Sequence, residues 1–277
     1  MSEDFLAAMA ASSRARVAAA RAVQSVAQLR SKIATLPAPP RLQRSPLGFD
    51  LIAELKLRSP AAGALQSAAS TDVAERVTAY GRSGAAAVSI LTEPGRFDGS
   101  LHHLQLAAQA LGAGGIPAMR KDFLVDAYQV LEARAAGAGG VLVILRMLPR
   151  ADLEALLDAA LEQRMFVLLE AFDETDIELA HRLVAVRVQH AELLLVGVNC
   201  RDLVTLQVVP GRLEALAARL PTQVARVAES GVATAEDAAR VAAAGYNMAL
   251  VGSALMTSDS PAQLAMAMLH AARAART

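Results

Sequence analysis

Glu54 and Lys56 stand two residues apart at the end of the apolar stretch Asp50-Leu51-Ile52-Ala53-Glu54-Leu55-Lys56. In an extended strand such residues point the same way, so a carboxylate and an ammonium would project together above Ile52. One pair of this kind is usually a weak surface ion pair. Here the pattern recurs. Later apolar runs end in Arg120-Lys121-Asp122-Phe123, Leu169-Glu170, Val198-Asn199-Cys200-Arg201, Ala228-Glu229-Ser230-Gly231 and Val251-Gly252-Ser253. Lys56 and Lys121 with Glu54, Glu170 and Glu229, gathered at one desolvated mouth, would shift one another's protonation as acid–base chemistry requires. The same groups on separate surfaces would only neutralise one another.

What must bring them together is a strand-and-helix rhythm. Apolar runs fall at about 50–56, 86–91, 116–120, 140–145, 165–170, 193–198, 223–228 and 248–251. Helical spacing occupies 72–83, 101–111, 126–136, 150–163, 173–186, 210–219, 234–244 and 260–274. Helix starts carry caps at Thr71-Asp72, Ser100, Asp126, Asp173 and Thr234, and Gly84, Gly137 and Gly245 close helices. Strands rich in Val, Ile and Leu with little alternation suit a parallel sheet covered by helices. Eight such units predict an α/β fold, a (β/α)8 TIM barrel, rather than an open doubly wound sheet. No G-x-G-x-x-G follows a strand. Residues 1–48 read as an N-terminal helical extension and a Pro-rich connector, with the barrel over 49–277. In such a barrel the strand C-termini share one mouth. Parity agrees: Leu168 with Glu170, Gly197 with Asn199, and Val227 with Glu229 share faces.

Composition excludes several classes. The chain has 277 residues, 54% hydrophobic, with 27 basic and 27 acidic side chains. That balance gives no support for nucleic acid or an anionic membrane as partner. No apolar run reaches the ~18 residues of a membrane helix. One cysteine excludes an intramolecular disulfide and fits a reducing compartment. The start lacks the order of a secretory signal, so the expectation is a soluble, cytoplasmic protein. Oligomeric state is left open, a monomer being sufficient.

Ser230-Gly231 and Gly252-Ser253 follow the seventh and eighth strands, where barrels often bind phosphate through backbone N–H groups and a short helix. Ala254-Leu255-Met256 is positioned to make that helix. The residues thus point to a phosphorylated small molecule.

Six motifs in order, IAELK-x-x-SP, SILTE-x-x-x-F-x-GS, RKDF-x-x-D-x-YQ-x-x-EARAAGA, GVN-x-RDL, ESG and LVGS-x-LM, resemble the indole-3-glycerol phosphate synthase family from about residue 50 onward. The resemblance implies closure of the indole ring of 1-(o-carboxyphenylamino)-1-deoxyribulose 5-phosphate in tryptophan biosynthesis. Carbon dioxide and water are lost, with no metal or organic cofactor. It implies Lys121 or Lys56 as acid, with Lys121 preferred for condensation, and Glu170 as base. Glu54, Asn199 and Glu229 would hold substrate hydroxyls, the anilino nitrogen and the ammonium groups. Arg201 would pair with the substrate carboxylate or lock the network. Phe97, Phe123, Leu142 and Leu203 would wall the aromatic ring. Ser59, Ser230, Gly231, Gly252 and Ser253 would take the phosphate. The chain departs from the family pattern at Ala61-Ala62, Ala171-Phe172 and Cys200.

Phosphoribosylanthranilate isomerase, a related barrel, needs a Cys on the first strand that this chain lacks. A non-catalytic relative would be expected to lose a lysine or Glu170. Cys200 has no His beside it in the motif. His102, His103, His181, His190 and His270 lack metal spacing and suit surface positions. Arg14, Arg16 and Arg21 read as a solvated helix face.

Overall fold

The computed structural model describes residues 5–60, 63–65, 72–203 and 205–276. Eight strands form a closed, all-parallel barrel: β1 Asp50–Leu55, β2 Ala87–Leu91, β3 Ala118–Lys121, β4 Gly140–Ile144, β5 Phe166–Ala171, β6 Leu194–Asn199, β7 Ala225–Glu229 and β8 Met248–Val251. Each pairs with its neighbours in sequence, and β1 closes the ring against β8 with Ile52 opposite Leu250. Alternate strand residues therefore fill two cores. Ile52, Met119, Leu142, Leu168, Val227 and Leu250 belong to the cluster inside the barrel. Leu51, Val88, Val141, Val167, Val196 and Ala249 pack outward under the helices. Burial on both faces explains the uninterrupted apolar runs.

The capping residues act as their types require. Asp72, Ser100, Asp126 and Asp173 each accept a backbone N–H in the first turn of the helix that follows. Thr234 and Asp237 form a reciprocal capping box. Thr71 lies outside the described residues. Gly137 and Gly245 adopt φ of 94° and 104°, the left-handed conformation that ends a helix at little cost to glycine. The expected short helix after β8 is present as Ser253–Thr257.

Two local features were not expected. Ser59 does not simply open a loop: Arg58–Ser59 pairs antiparallel with Gly63–Ala64. Ala61 and Ala62 lie outside the described residues. A one-turn helix, Pro94–Phe97, follows β2 because Pro94 sets its first φ and Glu93 accepts the Gly95 and Arg96 N–H groups.

Helices α1 (Phe5–Val23) and α2 (Val26–Ala34) precede the barrel. The expectation of a solvated arginine face on α1 holds at Arg14 and Arg21 and fails at Arg16. Arg14 is exposed. Arg21 reaches Asp126 at 2.7 Å while staying exposed, whereas Arg16 makes a double hydrogen bond to the buried Asp122 at 2.8 and 2.9 Å. Ser13, fully buried, accepts from Gln129 Nε2. Partners more than a hundred positions away leave no periodic trace at Arg16. Arg16→Ala should lower stability by roughly 1–3 kcal/mol, since the buried Asp122 loses a charged partner but keeps Arg120. Thermal unfolding measures this, and an unchanged midpoint would show that the contact does not fasten α1.

Candidate active site

The strand ends place every expected side chain around one cavity of about 310 Å³. Glu54, Lys56, Lys121, Glu170, Asn199 and Glu229 line it. So do Ser59, Phe97, Phe123, Leu142, Arg201, Leu203, Ser230, Gly231, Gly252 and Ser253. Register explains the charged layer: Glu170 lies opposite Gly197, and Asn199 lies opposite Glu229.

The charges divide into two groups. Lys56 Nζ lies 2.9 Å from Glu54 Oε1. Lys121 Nζ lies 3.1 Å from Glu170 Oε2 and 3.3 Å from Glu229 Oε2. Burial disfavours the Lys121 ammonium, but Glu170, Glu229 and Glu54 outweigh it and hold its pKa above that of an ordinary lysine. Glu229 shifts upward too. Burial is the main cause, repulsion from Glu170 adds to it, and Lys121 opposes both.

Two glycines make room for the carboxylates. A Cβ at Gly197 would stand 2.2 Å from Glu229 Oε1, and one at Gly252 would stand 2.2 Å from Glu54 Oε1. Sequence parity named Gly197 only as a face marker, and Gly252 only as a phosphate contact. Ser230 and Gly231 have consecutive positive φ, 65° and 68°. Serine rarely adopts that conformation, and such strain concentrates at functional sites.

The apolar wall is aromatic on one side. Phe123 sits edge-to-face with Phe5 at 5.7 Å between ring centroids and tilted against Phe97 at 6.1 Å. Phe5 was missed in the sequence because an aromatic at a helix start looks like ordinary packing. Ile144, Leu206 and Val208 also line the cavity, and only Ile144 was signalled, by sharing Leu142's parity. Asp122, inside the RKDF motif, has a role that its sequence position does not reveal. It is buried and accepts from Arg16, Arg120, Thr92 and the Phe123 N–H, so it anchors the turn carrying Lys121 and Phe123. Burial raises its pKa, but Arg120 and Arg16 prevail and hold it well below the carboxylate range.

Arg201 Nη1 donates to Leu206 O at 2.7 Å, while Asn199 Oδ1 accepts the Arg201 N–H at 3.0 Å. Of its two expected roles, the bracing one thus has contacts of its own. Cys200 is buried and its thiol pKa is pushed up by burial, which makes it a poor nucleophile. Phe172, where the family commonly has His, is buried beneath the Arg146 guanidinium at 4.6 Å. The surface expectation fails for His103, which is half-buried with Nδ1 lacking a hydrogen-bond partner among the described residues.

The family model for indole-3-glycerol phosphate synthase matches residues 6–268. The chain belongs to the indole-3-glycerol phosphate synthase family. Relatives of that description include one from Mycolicibacterium gilvum (strain PYR-GCK), 41% identical over 251 residues, covering 90% of this chain and 87% of that protein. Another, from Mycobacterium tuberculosis (strain CDC 1551 / Oshkosh), is 39% identical over 251 residues, with the same coverage. Among solved structures, thiamine phosphate pyrophosphorylase from Pyrococcus furiosus aligns with a TM-score of 0.59 at 13% identity, over 83% of this chain and 97% of that one. At that identity the likeness concerns the barrel alone. No described helix is long and apolar enough to cross a membrane.

Proposed function

We propose that this chain closes the indole ring of 1-(o-carboxyphenylamino)-1-deoxyribulose 5-phosphate, releasing carbon dioxide and water to give indole-3-glycerol phosphate. The observation that carries the reading is the pair of ammonium–carboxylate groups in one cavity, beside Ser230-Gly231 and Gly252-Ser253. A sugar phosphate would place its anion at those loops. Its aryl ring would lie between Phe97, Phe123, Leu142 and Leu203.

Bond formation between the ring carbon and the ribulose carbonyl puts negative charge on the carbonyl oxygen. Lys121, kept cationic by two glutamates, meets that charge and protonates it. Lys56 serves the leaving hydroxyl, with Glu54 holding it in place. Glu170 takes the proton whose loss restores aromaticity. Asn199 and Arg201 fix the mouth of β6 and orient the substrate. Burial of these groups strengthens each electrostatic contact relative to water. We also read α1, α2 and the connector up to residue 48 as an extension serving the mouth of the 49–277 barrel, and the single thiol as suited to a reducing cytoplasm.

Purified protein mixed with the anilino-ribulose phosphate should develop indole fluorescence. Glu170→Gln should lower turnover by roughly 10²- to 10⁴-fold, the value of one positioned acid or base. A variant turning over at the wild-type rate would remove Glu170 from the base role.

A further inference from the structure

Glu170 and Glu229 present a counting problem that the ring-closure reading leaves open. Both approach one ammonium, Lys121, at 3.1 and 3.3 Å, and both are buried. Like charges gathered this closely in a buried site resist ionising together. Among the described residues, the groups around Glu229 offer no second cation paired with it. β3 contributes Lys121 and β5 contributes Glu170. Its register partners on β6 and β8 are the uncharged Asn199 and Leu250. Lys56 is held by Glu54, and the Arg201 guanidinium donates to Leu206 O. Glu229 Oε1 is buried without a hydrogen-bond partner among the described residues.

We propose that Glu229 rests as a neutral carboxylic acid, its proton shared toward Glu170, and that this proton is the one turnover consumes. The proposal rests on the ring-closure reading. A carboxylate that departs as carbon dioxide leaves the balanced reaction one proton short, so each cycle takes one up. As the ring carbon bonds to the carbonyl carbon, the carbonyl π electrons move to oxygen, which takes a proton from Lys121. The free amine then takes the proton of Glu229, leaving an ammonium between two carboxylates. The ring–carboxylate bond breaks, its electron pair returns to the ring, and carbon dioxide leaves. The hydroxyl departs as water with a proton from an ammonium, while Glu170 removes a proton from the carbon beside nitrogen and passes it back to the amine. One solvent proton restores Glu229. The upward shift of the Glu229 pKa agrees with this resting state.

Infrared difference spectroscopy of the resting protein at neutral pH tests the storage directly. The wild type minus Glu229→Gln should show the carbonyl stretch of a protonated carboxyl. The same band should be missing in Glu170→Gln, where the charge that retains the proton is gone. Other protonated carboxyls cancel in these differences. Glu229→Gln should also turn over about 10²-fold more slowly with KM near that of the wild type. No band, a band that persists in Glu170→Gln, or full turnover in Glu229→Gln overturns the proposal. A missing band beside normal wild-type turnover removes only the stored proton. A band in a wild type that does not turn over the anilino-ribulose phosphate removes the ring-closure reading and, with it, the proton's proposed use.

Discussion

Lys121→Ala should lower turnover by roughly 10²- to 10⁴-fold while leaving a folded barrel. The side chain is 17% exposed and stands between carboxylates that are 4% and 1% exposed. Its removal leaves Glu170 and Glu229 facing each other. Glu170 then loses the ammonium that faced it in a buried site, which favours its protonated form and disables it as a base. The loss should therefore exceed that of a missing donor alone. Lys121→Arg is the informative companion. A guanidinium keeps the positive charge but does not give up a proton in the accessible pH range, so it should preserve the ion pairs and still turn over slowly. Indole fluorescence measures the rate, and circular dichroism verifies the fold. Near-wild-type turnover in either variant would falsify the assignment of Lys121 as the acid.

Gly252→Ala is the second large effect, and it comes from a single methyl group. The backbone there has φ of −118°, outside the left-handed region that favours glycine. The obstacle is Glu54, whose Oε1 would lie 2.2 Å from the new Cβ and whose Cδ would lie 3.0 Å away. Glu54 is 2% exposed and pinned by the barrel wall, so it must turn and release Lys56. Displacing a catalytic group by about 1 Å costs on the order of 10²-fold, and that is the expected fall in kcat/KM. Gly112→Ala is the control, since a Cβ there meets nothing within 4 Å and the residue ends a helix away from the mouth. Equal activity in both variants would mean that Glu54 has room to move.

Much of this site was legible because strand parity is a rigid rule. Once eight apolar runs are read as barrel strands, residues such as Glu170, Asn199 and Glu229 must face inward at one end. Barrel closure then brings them near one another whatever the helices do. The motifs added the substrate, which parity has no means of naming. Helix limits were readable for a related reason: Asp, Ser and Thr caps and closing glycines act within a turn of their own position.

The partners were not legible. Nothing in the order of residues tells that Lys121 sits against two glutamates while Lys56 keeps one, because side-chain reach and barrel curvature decide it. Arg16 looked solvated because its partner Asp122 lies 106 positions later. Phe5 carried no signal in the sequence because only the docking of α1 brings it to Phe123. That Gly197 and Gly252 leave no room for a methyl group was hidden because the atoms that exclude it belong to other strands. Residue type and local periodicity were enough to name the available chemistry and the end of the barrel that carries it. Which charges meet and which glycines must stay bare follows only from the closed ring, because contact between distant segments arises when it closes.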